Sequence, residues 1–183
     1  VPPLYTVADA EKSMKFFKSY SYNKPIDIFD GITLQFCDAG HLLGSASVHI
    51  TVKEGAEQRS ILFSGDLGNS ARPLIRDPQP PISADYVVIE STYGDRIHGE
   101  RPDYIGQLTE VFQETFDKGG NVIIPSFAIG RTQELLYLIR IIKEQGLVKG
   151  HGNFAVYVDS PLAVEATRIY QDGLFDYYDA ETL

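Results

Sequence analysis

Two short stretches decide the fold: Asp38-Ala39-Gly40-His41-Leu42-Leu43-Gly44-Ser45 and Phe63-Ser64-Gly65-Asp66-Leu67-Gly68. Each follows an apolar, strand-like run, so His41 and Asp66 both stand at strand ends. The small residues around them let the backbone approach a ligand closely. Imidazole binds a borderline metal such as zinc, and a carboxylate can bridge two cations. The pattern indicates part of a metal-centred hydrolase site, with too few ligands to complete it.

Either residue alone also suits a structural role. His41 fits a buried, hydrogen-bonded histidine, and Asp66 fits a turn between two glycines. Their positions at neighbouring strand ends favour a shared site. Cys37 is predicted to pack as a small apolar residue.

The segments before and between the two stretches predict antiparallel strands. A helix is expected over 6–20, with Thr6 as its N-cap. The Asp30-Gly31 pair predicts a tight hairpin between strands at 26–29 and 32–37. Further strands are expected at 46–52 and 59–64, joined by a turn. Strands in this succession predict a sheet with one packed face.

The second half of the sequence changes in style. A proline-rich loop at 72–83 leads to a strand over 84–90 that is apolar enough to be buried. Helices are then expected at 102–118, 132–145 and 162–170, with strands at 121–125 and 154–158 between them. Alternation at this spacing predicts βαβ units on a parallel sheet. We therefore expect a domain boundary between Glu100 and Gly120.

Composition excludes several classes of protein. The 183 residues carry a formal net charge of −9 and 43% apolar residues, which argues against broad, nonspecific binding of nucleic acid and suits a site for cations. No apolar run approaches the ~18–20 residues of a membrane span. The single Cys37 excludes an internal disulfide and, without a signal peptide, leads us to expect a cytoplasmic protein. The first residue is Val1, so we expect a chain trimmed from something longer.

Further candidate residues lie beyond the proline-rich loop. Glu90 ends an apolar strand, where sheet enzymes place catalytic carboxylates or carboxylates that orient metal-bound histidines. The turn from Ser126 to Thr132 opens a helix and contains Gly130 and Arg131, which predicts an anion site, although an ordinary strand–helix turn is the simpler interpretation. Ser160 closes the next predicted strand in the same way.

The remaining histidines are weaker candidates. His98 could line the same cleft as Glu90. His49 lies in mid-strand and is expected to be structural, and His151 lies in a polar loop and is expected to be solvated.

Five segments stand in order from residue 38 to residue 163: Asp38–Ser45, Ser64-Gly65-Asp66, Ile89–Gly94, Pro125–Glu134 and Asp159–Ala163. Any one is a weak signal, but the five in this order are highly specific. Together they resemble the β-CASP branch of the metallo-β-lactamase superfamily, which contains RNA-processing nucleases. The resemblance implies an α/β fold, in which residues 1–110 form the C-terminal part of a metallo-β-lactamase αββα domain. Residues 111–183 would then begin a Rossmann-like β-CASP domain.

The resemblance also implies roles for the matching residues of the first domain. His41 is similar to a zinc-ligand histidine, and Asp66 to the carboxylate that bridges two zinc ions. Glu90 is similar to an acidic group that contacts the histidines of the metal site. These three are the candidate catalytic residues, and His41 and Asp66 are the candidate metal ligands.

In the second domain the resemblance implies contacts with phosphate from Ser126, Gly130, Arg131 and Ser160. It implies two zinc ions and a single-stranded RNA substrate in the intact enzyme, and no membrane partner. The choice between RNA and DNA, the endo- or exonuclease mode and the oligomeric state stay open at this point.

One departure from the family pattern is large. The His-x-His-x-Asp-His motif and the later histidines that complete the metal site are absent, and we expect them before residue 1 and after residue 183. The chain alone is therefore expected to be inactive. Two alternatives stay open: a non-catalytic β-CASP subunit that binds RNA or protein, and a metallohydrolase of small esters or thioesters.

Overall fold

A computed structural model describes residues 3–97, 99, 102–171 and 178. Its strands are β1 (Ile26–Phe29), β2 (Ile32–Asp38), β3 (Ala46–Glu54), β4 (Glu57–Phe63) and β5 (Tyr86–Val88). Its helices are α1 (Val7–Ser13), α2 (Tyr104–Asp117), α3 (Arg131–Glu144) and α4 (Pro161–Gln171), and one 3-10 turn covers Met14–Phe16. The protein is thus a mixed α/β fold, as the sequence predicts.

The five strands form one sheet in the order β1-β2-β3-β4-β5. The first four are antiparallel neighbours, and β5 is parallel to β4. The predicted Asp30-Gly31 hairpin is confirmed. Gly31 has a φ of 72°, a backbone conformation that residues with a side chain rarely adopt. A Cβ at Gly31 would also lie 2.4 Å from the Lys53 carbonyl oxygen, so only glycine fits there.

The direction of the strands decides where the candidate site lies. Both β2 and β4 are antiparallel to β3, so they run the same way, and β5 runs with β4. The carboxyl ends of β2, β4 and β5 therefore meet at one edge of the sheet. Three of the chain's loops leave from that edge.

Two predictions for single elements need correction. The helix predicted over 6–20 is regular only to Ser13. The reciprocal capping bonds of Thr6 and Asp9 stabilise its first turn, but the helix buries no residue, so packing does not extend it further. The strand predicted as buried is short and exposed, with Tyr86 61%, Val87 55% and Val88 50% accessible. The reason is that β5 is the last strand of the described sheet, with a ladder on one side only.

The strands predicted at 121–125 and 154–158 are absent from the described part of the chain. A strand needs a neighbour to complete its backbone hydrogen bonds, and neither segment has one among the residues that the structure describes. Ile123 and Tyr157 are accordingly 90% and 88% exposed. The helices predicted before, between and after these segments are confirmed as α2, α3 and α4.

Two sets of buried residues matter for the site. In the sheet, Cys37 and Leu62 are 2% and 5% exposed, and Ser47 and Ser64 are buried as well. A second cluster joins α2 and α3 and consists of Phe112, Ile139, Ile142 and Val148. Within the residues that the structure describes, no helix is long and apolar enough to cross a membrane.

Candidate active site

The site is built from the three loops at the common edge of the sheet. His41 follows β2, Asp66 follows β4, and Glu90 follows β5. The loops after β4 and β5 are joined by backbone, since the Ser64 N–H donates to the Val88 carbonyl at 2.9 Å. The Ser64 hydroxyl accepts from the Glu90 N–H at 3.0 Å. Ser47 on β3 holds Ser64 in turn, because its hydroxyl donates to the Ser64 carbonyl at 2.8 Å.

The backbone of one residue, Leu67, connects the histidine to the glutamate. The carbonyl oxygen of Leu67 lies 3.3 Å from Nδ1 of His41, and the N–H of Leu67 donates to Oε1 of Glu90 at 2.7 Å. A carbonyl only accepts, so His41 donates through Nδ1–H. That tautomer leaves the lone pair of Nε2 free, which is the arrangement of a metal-ligating or proton-accepting histidine.

Backbone contacts fix the distance between the loops after β2 and β4. The Gly68 N–H donates to the Ala39 carbonyl at 2.8 Å. A Cβ on Gly68 would lie 1.7 Å from the Gly40 carbonyl oxygen, so this approach requires glycine. The His41 N–H donates to the Ser45 hydroxyl at 3.0 Å, and this bond closes the loop after β2 at its far end. The position of the imidazole is therefore set mostly by main-chain atoms.

The two carboxylates of the site differ in their surroundings. Hydrogen bonds from the Thr92 hydroxyl and the Leu67 N–H hold the pKa of Glu90 below its usual value, and the nearby His41 adds to the effect. Glu90 is therefore an anion at neutral pH that holds the backbone of Leu67 through its N–H. The Asp66 side chain is exposed, and among the described residues it makes no hydrogen bond or ion pair. Its oxygens are available to a ligand.

The chemistry of these donors fits a metal ion, but their number does not. A free imidazole nitrogen and a free carboxylate are ligands that zinc accepts. A zinc site takes three or four protein ligands, and no group of three or more His, Cys, Asp or Glu side chains in the described ranges could hold an ion. A complete metal centre would need further donors from outside those ranges.

The turn before α3 is held by its own bonds. The first N–H groups of the helix are engaged, because Gly130 donates to Oε1 of Gln133 at 2.7 Å and Thr132 donates to the Phe127 carbonyl at 3.3 Å. The Thr132 hydroxyl also donates to the Phe127 carbonyl. Because its single hydrogen is used there, it accepts from the Ser126 hydroxyl at 2.7 Å. The predicted anion site therefore does not have free N–H groups at 130 and 132. A phosphate at this turn would meet the guanidinium of Arg131.

The same turn contacts the loop that carries His41. Gly130 has a φ of 82°, and a Cβ there would lie 2.4 Å from the Leu42 side chain. An ion pair joins α3 to the loop after β4, since Arg72 Nη2 lies 2.7 Å from Glu134 Oε1. Arg131 Nη1 lies 2.8 Å from the other oxygen of Glu134. The structure thus brings the turn before α3 up against the loop after β2.

The other candidate residues have different surroundings. Ser160 caps α4, because its hydroxyl accepts from the Ala163 N–H at 3.2 Å. His98 lies outside the described residues. His49 lies in β3, as predicted, and is half-buried. His151 was expected to be solvated, but its Nε2 lies 2.9 Å from Asp117 Oδ1 and its ring packs beside Phe116.

Two functional contacts escape the sequence interpretation. Leu67 acts through its backbone N–H and carbonyl alone, so its side chain gives no signal. Arg72 lies in a loop that the sequence marks only by its prolines, and its partner Glu134 is 62 positions away. Gly68 is the exception, because a glycine two residues after Asp66 is a readable sign of close backbone approach.

Comparison with known proteins adds independent information. The chain is 35% identical over 170 residues to Ribonuclease TTHA0252 of Thermus thermophilus, which covers 92% of this chain and 37% of that protein. It is 34% identical over 169 residues to an RNase J-like protein of Methanocaldococcus jannaschii, with 91% and 38% covered. It is also 34% identical over 171 residues to Cleavage and polyadenylation specificity factor 73 of Drosophila melanogaster, with 92% and 24% covered. No family model matches the chain. The chain spans less than two fifths of the length of each of these relatives.

Proposed function

This chain belongs to the β-CASP branch of the metallo-β-lactamase superfamily, and from that premise we propose that it is part of a metal-dependent ribonuclease. The observation that carries the proposal is the junction of His41 and Glu90 through the backbone of Leu67, at the edge where Asp66 also lies. The names of the relatives support RNA as the substrate. The activity proposed is hydrolysis of a phosphodiester bond.

The roles of the chain's own residues follow from their contacts. His41 presents Nε2 as a ligand, because Nδ1–H is engaged by Leu67. Asp66 contributes carboxylate oxygens that carry no competing hydrogen bond within the described residues. Glu90 accepts from the Leu67 N–H and so fixes the backbone of the residue whose carbonyl orients the imidazole. Two zinc ions bound there would supply an acidified water and positive charge for the phosphoryl oxygens.

We propose that the RNA side of the site comes from the turns before α3 and α4. Arg131 would contact a phosphate directly, with Ser126, Gly130 and Ser160 shaping the turns that face it.

We also propose the division of the chain into a unit at 1–110 and one at 111–183. What supports a boundary near α2 is that Ile105 and Leu108, at the start of this helix, pack against the second cluster. The compartment proposed is the cytoplasm, since the single Cys37 is buried and free.

A non-catalytic β-CASP subunit is the second candidate, because no three donors converge in the described ranges. Assays of the full-length protein separate the two. We expect the full-length protein to bind zinc and to cleave single-stranded RNA in a chelator-sensitive reaction, and we expect residues 1–183 alone to show no cleavage.

The decisive variant is Asp66→Ala in the full-length protein. It should lose metal and reduce cleavage at least about a hundredfold. The matched control is Asp30→Ala, an exposed aspartate in the hairpin turn at the start of β2, away from the site. Full activity in Asp66→Ala, or chelator-sensitive cleavage by residues 1–183 alone, would contradict the proposal. Turnover of a thioester but not RNA would instead favour a small-molecule hydrolase.

A further inference from the structure

Three charged side chains form a chain of ion pairs beside the site, which we call the Arg72–Glu134–Arg131 relay. Arg72 comes from the loop after β4, and the other two lie in the first turn of α3. Oε1 of Glu134 pairs with Arg72 at 2.7 Å, and Oε2 pairs with Arg131 at 2.8 Å. The exposed fractions of the side chains are 26% for Arg72, 13% for Glu134 and 56% for Arg131.

Charge and burial assign different roles to the two arginines. A carboxylate with so little exposure is costly without a cationic partner. Glu134 has two partners, so the relay carries one net positive charge. Arg131 is the outer partner, and Arg72 is the inner one. A phosphate can therefore bind the Arg131 guanidinium while Arg72 continues to neutralise Glu134.

The turn does not depend on Arg131 for its shape. Gln133 is 4% exposed, and its amide accepts from Gly130 at 2.7 Å and donates to the Ala128 carbonyl at 3.1 Å. It also donates to the Thr167 hydroxyl at 3.1 Å. These bonds hold the turn when the Arg131 side chain changes partner.

We propose that Arg72 is a positioning residue for RNA binding, which acts by neutralising Glu134 and so leaving Arg131 available to a phosphate group. The inference rests on the proposed function, because it assumes that Arg131 meets an RNA phosphate. Without Arg72, both oxygens of Glu134 turn to Arg131. The arginine is then held by a bidentate pair and is lost to the RNA.

The test measures binding of a short labelled oligoribonucleotide to the full-length protein, and kcat and KM for its cleavage. Arg72→Met should raise Kd and KM about tenfold, the loss of one charge-assisted hydrogen bond, while kcat changes little. It should also reduce the slope of log Kd against log salt by about 0.7, the contribution of one phosphate contact on a single strand. Arg59→Met is the matched control, since its exposed pair with Glu57 lies at the opposite end of β4.

Rescue separates this role from a merely structural one. Glu134→Gln removes the competing carboxylate charge, so the double variant Arg72→Met/Glu134→Gln should bind RNA within about threefold of the wild type. A structural defect would instead grow worse in the double variant. Unchanged Kd in Arg72→Met, or no rescue by Glu134→Gln, overturns the inference and leaves the ribonuclease proposal intact. RNA binding with this pattern but without cleavage overturns the ribonuclease proposal and leaves the inference, and absence of both binding and cleavage overturns both.

Discussion

The substitution Gly68→Ala tests whether backbone contact between two loops holds the candidate site together. The added Cβ would lie 1.7 Å from the Gly40 carbonyl oxygen, 2.2 Å from its carbonyl carbon and 2.7 Å from the His41 nitrogen. Side-chain Cβ atoms essentially never approach closer than 3.0 Å, so the two loops must separate by about 1.3 Å. No rotamer change relieves the clash, because all three atoms belong to the main chain.

The cost can be estimated from the contacts that this separation breaks. The bond from the Gly68 N–H to the Ala39 carbonyl is 2.8 Å long and cannot survive the shift. Its loss costs about 1 kcal/mol, and the forced backbone movement adds about 1–3 kcal/mol. The smaller conformational freedom of the unfolded alanine variant returns about 0.4–1 kcal/mol. We expect the free energy of unfolding to fall by about 2–3 kcal/mol.

Urea unfolding followed by circular dichroism measures this change. Gly152→Ala is the matched control, since a Cβ there meets no atom within 4 Å, and it should leave stability unchanged or slightly higher. The shift also moves the Leu67 peptide away from His41, so RNA cleavage should fall with stability. Equal unfolding free energies for Gly68→Ala and Gly152→Ala would refute the assignment of this contact as a fixed spacer.

Three further predictions concern single groups. The Thr92 hydroxyl helps to hold the pKa of Glu90 below its ordinary value of 4.5. The carboxylate therefore stabilises the fold above pH 4.5, and this stabilisation is lost as the pH falls through the folded pKa. Glu90→Gln should flatten the acid side of the stability–pH curve, and an unchanged acid side would argue against the hydrogen bonds to the Glu90 carboxylate. His151 lowers the pKa of Asp117, so His151→Ala should raise that pKa toward 3.8 in an NMR titration, whereas a constant value would exclude the pair. Gln133→Leu removes three hydrogen bonds, to the Gly130 N–H, the Ala128 carbonyl and the Thr167 hydroxyl. It should lower the free energy of unfolding in urea by about 2–3 kcal/mol, and a neutral result would contradict its role as the anchor of the turn.

The part of the fold that the sequence predicts well is the part whose signals are local. The Asp30-Gly31 turn and the alternating strands fix neighbouring strand pairs, because a hairpin needs no distant partner. The predicted positions of His41, Asp66 and Glu90 after three strands also hold. Once the sheet order is known, strand direction alone places these three loops at the same edge.

The part that fails depends on partners far away in the chain. The segments at 121–125 and 154–158 have strand-like composition, yet neither forms a ladder in the described part of the protein. A run of β-branched residues favours a pleated, half-buried surface. It forms a strand only where another segment of the chain provides the neighbouring strand. Likewise, nothing local in Arg72 indicates that its partner is Glu134.

The candidate site also shows why a pattern of side chains describes it incompletely. Its central connection is the backbone of Leu67, whose carbonyl oxygen accepts from His41 and whose N–H donates to Glu90. Any residue except proline supplies those two groups, so the Leu67 side chain, which is 37% exposed, is not constrained by this role. Gly68 next to it is constrained completely, since even a methyl group does not fit. Function at this edge of the sheet therefore requires a specific backbone path, and the glycine is the residue that records it in the sequence.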